Sequence, residues 1–188
     1  MNLEQRFLNY KKDLGVGFDK LDIKLLKQSI AKIKEKILKK KTLFVCGNGG
    51  SAAISNHFIA DYLKLLREKT KIKVKIISLV NNFELLTSIS NDISYDKIFS
   101  YQLESLADKN DLLICISSSG NSKNIVSAIK FAKKNSIFTI GFSGFNGGYL
   151  KNNCDISLHF ENNSYQLSED FHHILMHFIM NELIEELK

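Results

Sequence analysis

The chain is expected to fold as an α/β protein: a parallel sheet covered by helices on both faces, with a helical addition at the N-terminus. Three observations carry this. Five short apolar, β-rich runs recur along the chain, most of them separated by segments of helical period. The runs are nearly continuous in apolar residues, as strands buried on both faces must be. Small-residue loops follow several of them, where open parallel sheets place their ligands.

The elements follow in order. Residues 3–13 and 20–40 have helical periodicity; Leu21, Ile23, Leu25, Leu26, Ile30, Ile33 and Ile37 form the apolar stripe of the second. Asp19 is a plausible cap for it, and Gly15 and Gly17 are expected to break the two helices apart. Thr42–Cys46 is the first strand. Val74–Leu79, Leu112–Ser117, Phe138–Phe142 and Ile156–Phe160 are the others. Helical patterns at 51–66, 95–107 and 122–135 lie between the first four, which implies βαβ units with right-handed crossovers. The last 20 or so residues form a helix that buries Phe171, Ile174, Leu175, Phe178, Ile179, Leu183 and Leu187. No repeat, linker or low-complexity tract divides the 188 residues, so one domain is expected, with 1–40 as the extension and 41–188 as the core.

Composition narrows the function. The formal charge is +6, yet the lysines between Lys32 and Lys41 close an amphipathic helix, where cations complement the dipole and keep the outer face wet. No basic patch carries interleaved stacking aromatics, which argues against a nucleic-acid partner. The three cysteines (Cys46, Cys115, Cys154) show no C-x-x-C spacing, and two lie in core strands. The N-terminus has no apolar leader and no run reaches the ~18 residues of a membrane span, so a cytoplasmic protein without membrane contact is expected.

The most informative stretch is Gly47–Asp61. A strand ends in Gly47-Asn48-Gly49-Gly50, and Ser51 opens a helix. Free N–H groups and a positive dipole end face whatever binds there, which suits a phosphate. His57 and Asp61 are four residues apart and project from one helix face. Ser117-Ser118-Ser119-Gly120-Asn121-Ser122 repeats the strand–loop–helix pattern, and Ser143–Gly148 is a third polar segment after a strand. Small side chains and hydroxyls there build an anion nest. Neither G-x-x-x-x-G-K-[ST] nor G-x-G-x-x-G is present, which argues against an ATP P-loop and a dinucleotide fold.

Taken together, Gly47–Ala53 with His57, Asn91-Asp92, Ser94-Tyr95-Asp96 with Phe99, Ile116–Ser122, Gly147-Gly148 and Cys154-Asp155 resemble the phosphoheptose isomerases, which are sugar isomerase (SIS) domain proteins. The resemblance spans nearly the whole chain in the same order. It implies a flavodoxin-like three-layer αβα sandwich with a five-stranded parallel sheet. It also implies a homotetramer with active sites at subunit boundaries, a bound divalent metal (commonly zinc), and a role in heptose supply for surface polysaccharide.

Carried over position by position, the family's metal-site His, Glu, Gln and His fall on His57, Asp61, Glu169 and His177, with Asp for Glu and Glu for Gln. Gln166 ranks behind Glu169 for the third place. His172 and His173 read as packing or supporting groups, and His159 as an ordinary strand histidine. In the implied reaction, sedoheptulose 7-phosphate becomes a mannoheptose 7-phosphate through an enediolate. Ser51, Ser117, Ser118, Ser119 and Ser122, with the amides of Gly49 and Gly50, hold the phosphate. Asn48, Asn91, Asp92 and Glu169 contact the rest of the substrate, Asp61 is the base and His177 the acid. Two other readings stay open: an isomerase for a different sugar phosphate, and a non-catalytic SIS module.

Overall fold

The five apolar runs form one parallel sheet in the computed structural model, which describes residues 1–188 throughout. The strands are β1 (Thr42–Gly47), β2 (Lys75–Ser78), β3 (Leu112–Ser117), β4 (Phe138–Ser143) and β5 (Ile156–His159), in spatial order β2-β1-β3-β4-β5. The chain thus starts near the middle of the sheet, winds to one edge, then crosses β1 to wind to the other. The reversal lies between β1 and β3, which pair directly from Leu43–Leu112 to Gly47–Ile116. Open sheets of this order bind ligands at the carboxyl ends of those two strands.

Period-2 alternation divides the strand side chains between two cores. Leu43, Val45, Leu112, Ile114 and Ile116 face one; Phe44, Cys46, Leu113 and Cys115 face the other. The first core is roofed by α2 (Ile23–Leu38), α3 (Gly50–Ala60) and α9 (Tyr165–Leu187), with α1 (Leu3–Asp19) packed along α9. The second is roofed by α5 (Phe83–Asp92), α6 (Ser100–Leu106), α7 (Lys123–Lys134) and the short α8 (Gly148–Asn153). The result is the expected three-layer αβα sandwich.

Several local expectations are corrected. Gly15 and Gly17 do not interrupt α1, which runs unbroken to Asp19. Gly17 is a contact residue instead: a Cβ there would sit 2.1 Å from the Phe160 ring, so its missing side chain lets α1 close on the end of β5. Asp22, not Asp19, caps α2, accepting from the amides of Lys24 and Leu25. The 95–107 pattern splits into a 3₁₀ turn, Tyr95–Lys97, and α6. The 51–66 helix changes winding midway: α3 gives way to a π-helical stretch, Asp61–Leu66, then a last α-turn, α4 (Arg67–Thr70). No helix is long and apolar enough to cross a membrane.

Candidate functional site at the β1–β3 reversal

Two loops meet above the reversal. Gly49 after β1 and Gly120 after β3 both hold positive φ, at 55° and 66°, a conformation that costs residues with a Cβ. These bends aim the starts of α3 and α7 at one spot. No side chain caps either helix there, whereas Asn2, Asp22, Asn82 and Ser164 cap α1, α2, α5 and α9. Asn124 Oδ1 takes the Ile125 amide and the Gly49 carbonyl takes those of Ala52 and Ala53, so only the earliest amides of α3 and α7 are left for an anion.

Between them lies a cavity of about 100 Å³ lined by Asn48, Ser51, Ser117, Ser118, Ser119, Ser122, Tyr165 and Glu169. Five of the hydroxyls named from the sequence thus converge. Ser117 Oγ accepts from the Gly120 amide at 3.2 Å and holds the loop in shape. Ser118 Oγ is buried without any partner. Asn48 is fixed by a reciprocal amide pair with buried Asn124 (2.9 and 2.8 Å) and accepts from the Tyr95 hydroxyl at 3.0 Å. The sequence alone gave no role to Asn124, because its contribution is visible only once β1 and β3 are side by side.

Farther along α3 a second group assembles. His57 Nε2 and His177 Nε2 are 3.5 Å apart, and the Asp61 carboxylate reaches them at 3.6 and 3.7 Å. His173 joins from α9, its Nε2 3.0 Å from His57 Nδ1. One nitrogen from each imidazole lies within 4.8 Å of the others, a set of borderline ligands able to hold a divalent ion. Burial, then the neighbouring His177 and His57, keeps the His173 pKa below its ordinary value, so the neutral, ligating form prevails. Asp61 opens the π-helical stretch, a local rewinding that often re-aims side chains at functional sites.

Glu169 takes a different place. Its carboxylate lies against Gly50, where a Cβ would meet Oε2 at 2.2 Å, and it lines the serine cavity rather than the imidazole cluster. Burial, with a smaller push from Asp170, raises its pKa. Asn91 and Asp92 sit exposed at the end of α5, bonded to each other at 2.7 Å and outside the cavity lining. His172, as expected, packs: it is fully buried between Phe142 and Phe171. His173 was expected only to support or pack, and the structure brings it into the cluster. The signal was present in its spacing, four residues before His177, the same i,i+4 relation as His57 and Asp61.

Residues 7–144 match the family model for the SIS domain. The chain belongs to the SIS domain family. Within it, the phosphoheptose isomerase of Clostridium acetobutylicum is 42% identical over 147 residues, covering 78% of this chain and 74% of that one. The phosphoheptose isomerase of Nitratiruptor sp. is 32% identical over 185 residues, covering 98% and 97%. The solved structure of the phosphoheptose isomerase from Neisseria gonorrhoeae superposes with a TM-score of 0.88 at 25% identity, covering 97% of this chain and 99% of that one. This SIS protein is therefore an enzyme of the aldose–ketose isomerase class. The serine cavity lies at the switch point of its sheet, where open α/β sheets bind their ligands.

Proposed function

We propose that the enzyme interconverts sedoheptulose 7-phosphate and D-glycero-D-manno-heptose 7-phosphate, a step in heptose supply. The observation that carries this is the placement of the two groups along the same pair of helices. Ser51 and His57 are six residues apart on α3, about 9 Å at 1.5 Å per residue. A phosphate seated among the serines leaves the far end of a long sugar chain beside Asp61 and His177.

The hydroxyls of Ser51, Ser117, Ser118, Ser119 and Ser122, with the amides of Gly49, Gly50 and neighbours, hold the phosphate. Asn48, kept rigid by Asn124 and Tyr95, orients a sugar hydroxyl. Asp61 takes the proton from the carbon next to the carbonyl. His177 donates to the carbonyl oxygen as the enediolate forms, and the two reverse roles to complete the isomerisation. Glu169, with its proton held more tightly by burial, faces the substrate from the cavity wall. Asn91 and Asp92 reach substrate only if a neighbouring copy brings them there.

A divalent ion, zinc by family resemblance, fits the donor set of imidazoles and one carboxylate; His57, Asp61 and His177 would hold it, with Asp61 and His177 ligating and moving protons at different stages. When bound it supplies electrophilic stabilisation of the oxygen that gains charge. A homotetramer with sites at subunit boundaries is supported by apolar side chains left in water, Phe7 and Phe83 among them at 68% and 72% exposure.

Incubation of the purified enzyme with sedoheptulose 7-phosphate, with and without chelator, tests the reading. Chelator-sensitive formation of the aldose phosphate is the expected result; no conversion in metal-replete enzyme would refute it. Asp61 is one methylene shorter than the family's Glu, which favours a different ketose phosphate as the second reading. A panel of five- to seven-carbon ketose phosphates separates the two.

A further inference from the structure

Asn48 lines the serine cavity, whereas Asn124, 1% exposed in the first turn of α7, does not. Their carboxamides face each other between the two loops. Asn48 Nδ2 donates to Asn124 Oδ1 at 2.9 Å, and Asn124 Nδ2 donates to Asn48 Oδ1 at 2.8 Å. A carboxamide turned over exchanges its oxygen for its nitrogen, so such a pair has two polarities and a group outside it must choose. Here a backbone group chooses. The Ile125 amide meets Asn124 at 2.9 Å, and a backbone N–H can only donate, so the atom it meets is the Asn124 oxygen. The polarity of Asn48 follows from that of Asn124.

Both lone pairs of Asn48 Oδ1 are then taken, one by Asn124 and one by the Tyr95 hydroxyl at 3.0 Å. Asn48 Nδ2 gives one of its two protons to Asn124, which leaves a single N–H as all that Asn48 can offer a ligand. The serine hydroxyls around the cavity donate or accept as the ligand requires; this donor is fixed. We propose that Asn124 is a positioning residue for the isomerase, holding Asn48 as a hydrogen-bond donor to a substrate oxygen. This rests on the reading of the cavity as the seat of a sugar phosphate. Asn124 acts on the substrate only through Asn48. Without it, Asn48 keeps only the Tyr95 hydroxyl, which can donate or accept, so either end of the carboxamide can face the substrate.

The test is a double-mutant cycle on the full-length enzyme. Its readout is the calorimetric Kd of whichever ketose phosphate in the panel above the wild type binds most tightly. Asn48→Ala and Asn124→Ala are each expected to weaken binding by about 3- to 10-fold, the worth of one hydrogen bond. In the Asn48→Ala background, Asn124→Ala should add less than about twofold, because its whole effect passes through Asn48. A purely structural role would weaken binding by the same factor in both backgrounds. That result overturns the proposal, as does unchanged affinity in Asn124→Ala. Asn124→Ser, neutral and tolerated in a first helical turn, replaces the alanine variant in the cycle if the latter does not fold. A nitrogen–proton correlation spectrum reads the polarity itself. The side-chain NH₂ pair missing from Asn48→Ala identifies Asn48, and one of its protons is expected to move downfield in the wild type as ligand saturates the site. No movement of either proton overturns the donor role. Binding needs no turnover, so the outcomes separate from the proposed reaction. The expected cycle in a protein that does not isomerise sedoheptulose 7-phosphate sinks only the reaction; additive variants in an active isomerase sink only the positioning role. A wild type that binds no member of the panel sinks both.

Discussion

His57 Nδ1 and His173 Nε2 lie 3.0 Å apart although 116 positions separate the residues in the chain. A contact that short between two imidazoles requires one ring to donate and the other to accept, so at least one of them is neutral at the nitrogen that meets its partner. His57 also contacts His177 and Asp61, which makes it the hub of the cluster. His57→Ala is therefore expected to release the metal and lower turnover by at least about 100-fold. The side chain is 43% exposed, so urea unfolding of the metal-free variant should match wild type within about 0.5 kcal/mol. Retained metal stoichiometry in the purified variant would contradict the assigned role.

Asp61 is separable from the imidazoles as the one carboxylate that contacts both His57 and His177, and it is the base proposed for the carbon-bound proton. Asp61→Asn keeps the shape and removes the base; kcat is expected to fall by about 10²–10⁴-fold with the thermal midpoint preserved. Asp61→Glu restores a carboxylate with longer reach and is expected to remain active. Steady-state kinetics of both variants decide the matter: wild-type kcat in Asp61→Asn would remove Asp61 from proton transfer.

The serines of the β3 loop should divide by what their hydroxyls already touch. Ser118 Oγ has no partner in the protein, so Ser118→Ala removes no internal hydrogen bond, only the proposed substrate contact. KM is expected to rise roughly 10-fold or more, the worth of one hydrogen bond to a charged group, with unchanged stability. Ser117 Oγ accepts from Gly120, so Ser117→Ala should lose stability as well as affinity. An unchanged KM in both variants would show that the cavity is not the phosphate site, and equal unfolding would show that the Ser117–Gly120 bond adds no stability.

Strands and the two small-residue loops after β1 and β3 were legible in the sequence because period and punctuation are local properties. Leu112–Ser117, for example, is bounded exactly as its apolar run suggests. Short elements were not: Phe83–Asp92 is a ten-residue helix whose cap, Asn82, precedes too few turns to establish a period. Gly17 reads as a breaker until Phe160 arrives from the far end of the chain to occupy the space. The same holds at the site. His57 and Asp61 share one helix and could be paired from spacing, whereas which residues of α9 reach them depends on how α9 lies against α3. That is tertiary information.

Glycine substitutions in the two loops should differ in cost. At Gly49 (φ 55°, ψ −124°) a Cβ meets nothing within 4 Å, so Gly49→Ala bears only the backbone cost of a conformation that glycine alone adopts readily. At Gly120 (φ 66°) the Cβ would lie 2.0 Å from the Gly147 carbonyl oxygen, a backbone atom that cannot swing aside. Gly120→Ala is expected to cost more than about 2 kcal/mol and to disorder the serine loop, with a sharply raised KM. Urea unfolding measures the difference, and equal midpoints for the two variants would count against the loop–loop contact.

Burial of His172 predicts an acid-sensitive fold. Its imidazole is fully enclosed and neither ring nitrogen has a hydrogen-bond partner, so burial pushes its pKa down from 6.5 to about 4. Above pH 6.5 the side chain is neutral in both folded and unfolded chains, and the folded state keeps its full advantage. Between pH 6.5 and 4 the unfolded chain takes up a proton that the folded one refuses. Stability is lost across that window, by on the order of 3 kcal/mol from this residue. His172→Leu keeps an apolar side chain among Phe142 and Phe171 and cannot titrate. Urea unfolding of metal-free protein at pH 7 and pH 4.5 should show a smaller loss for the variant than for wild type. An identical loss in both would mean that His172 is already paired or hydrated in solution, and the acid sensitivity would have to arise elsewhere.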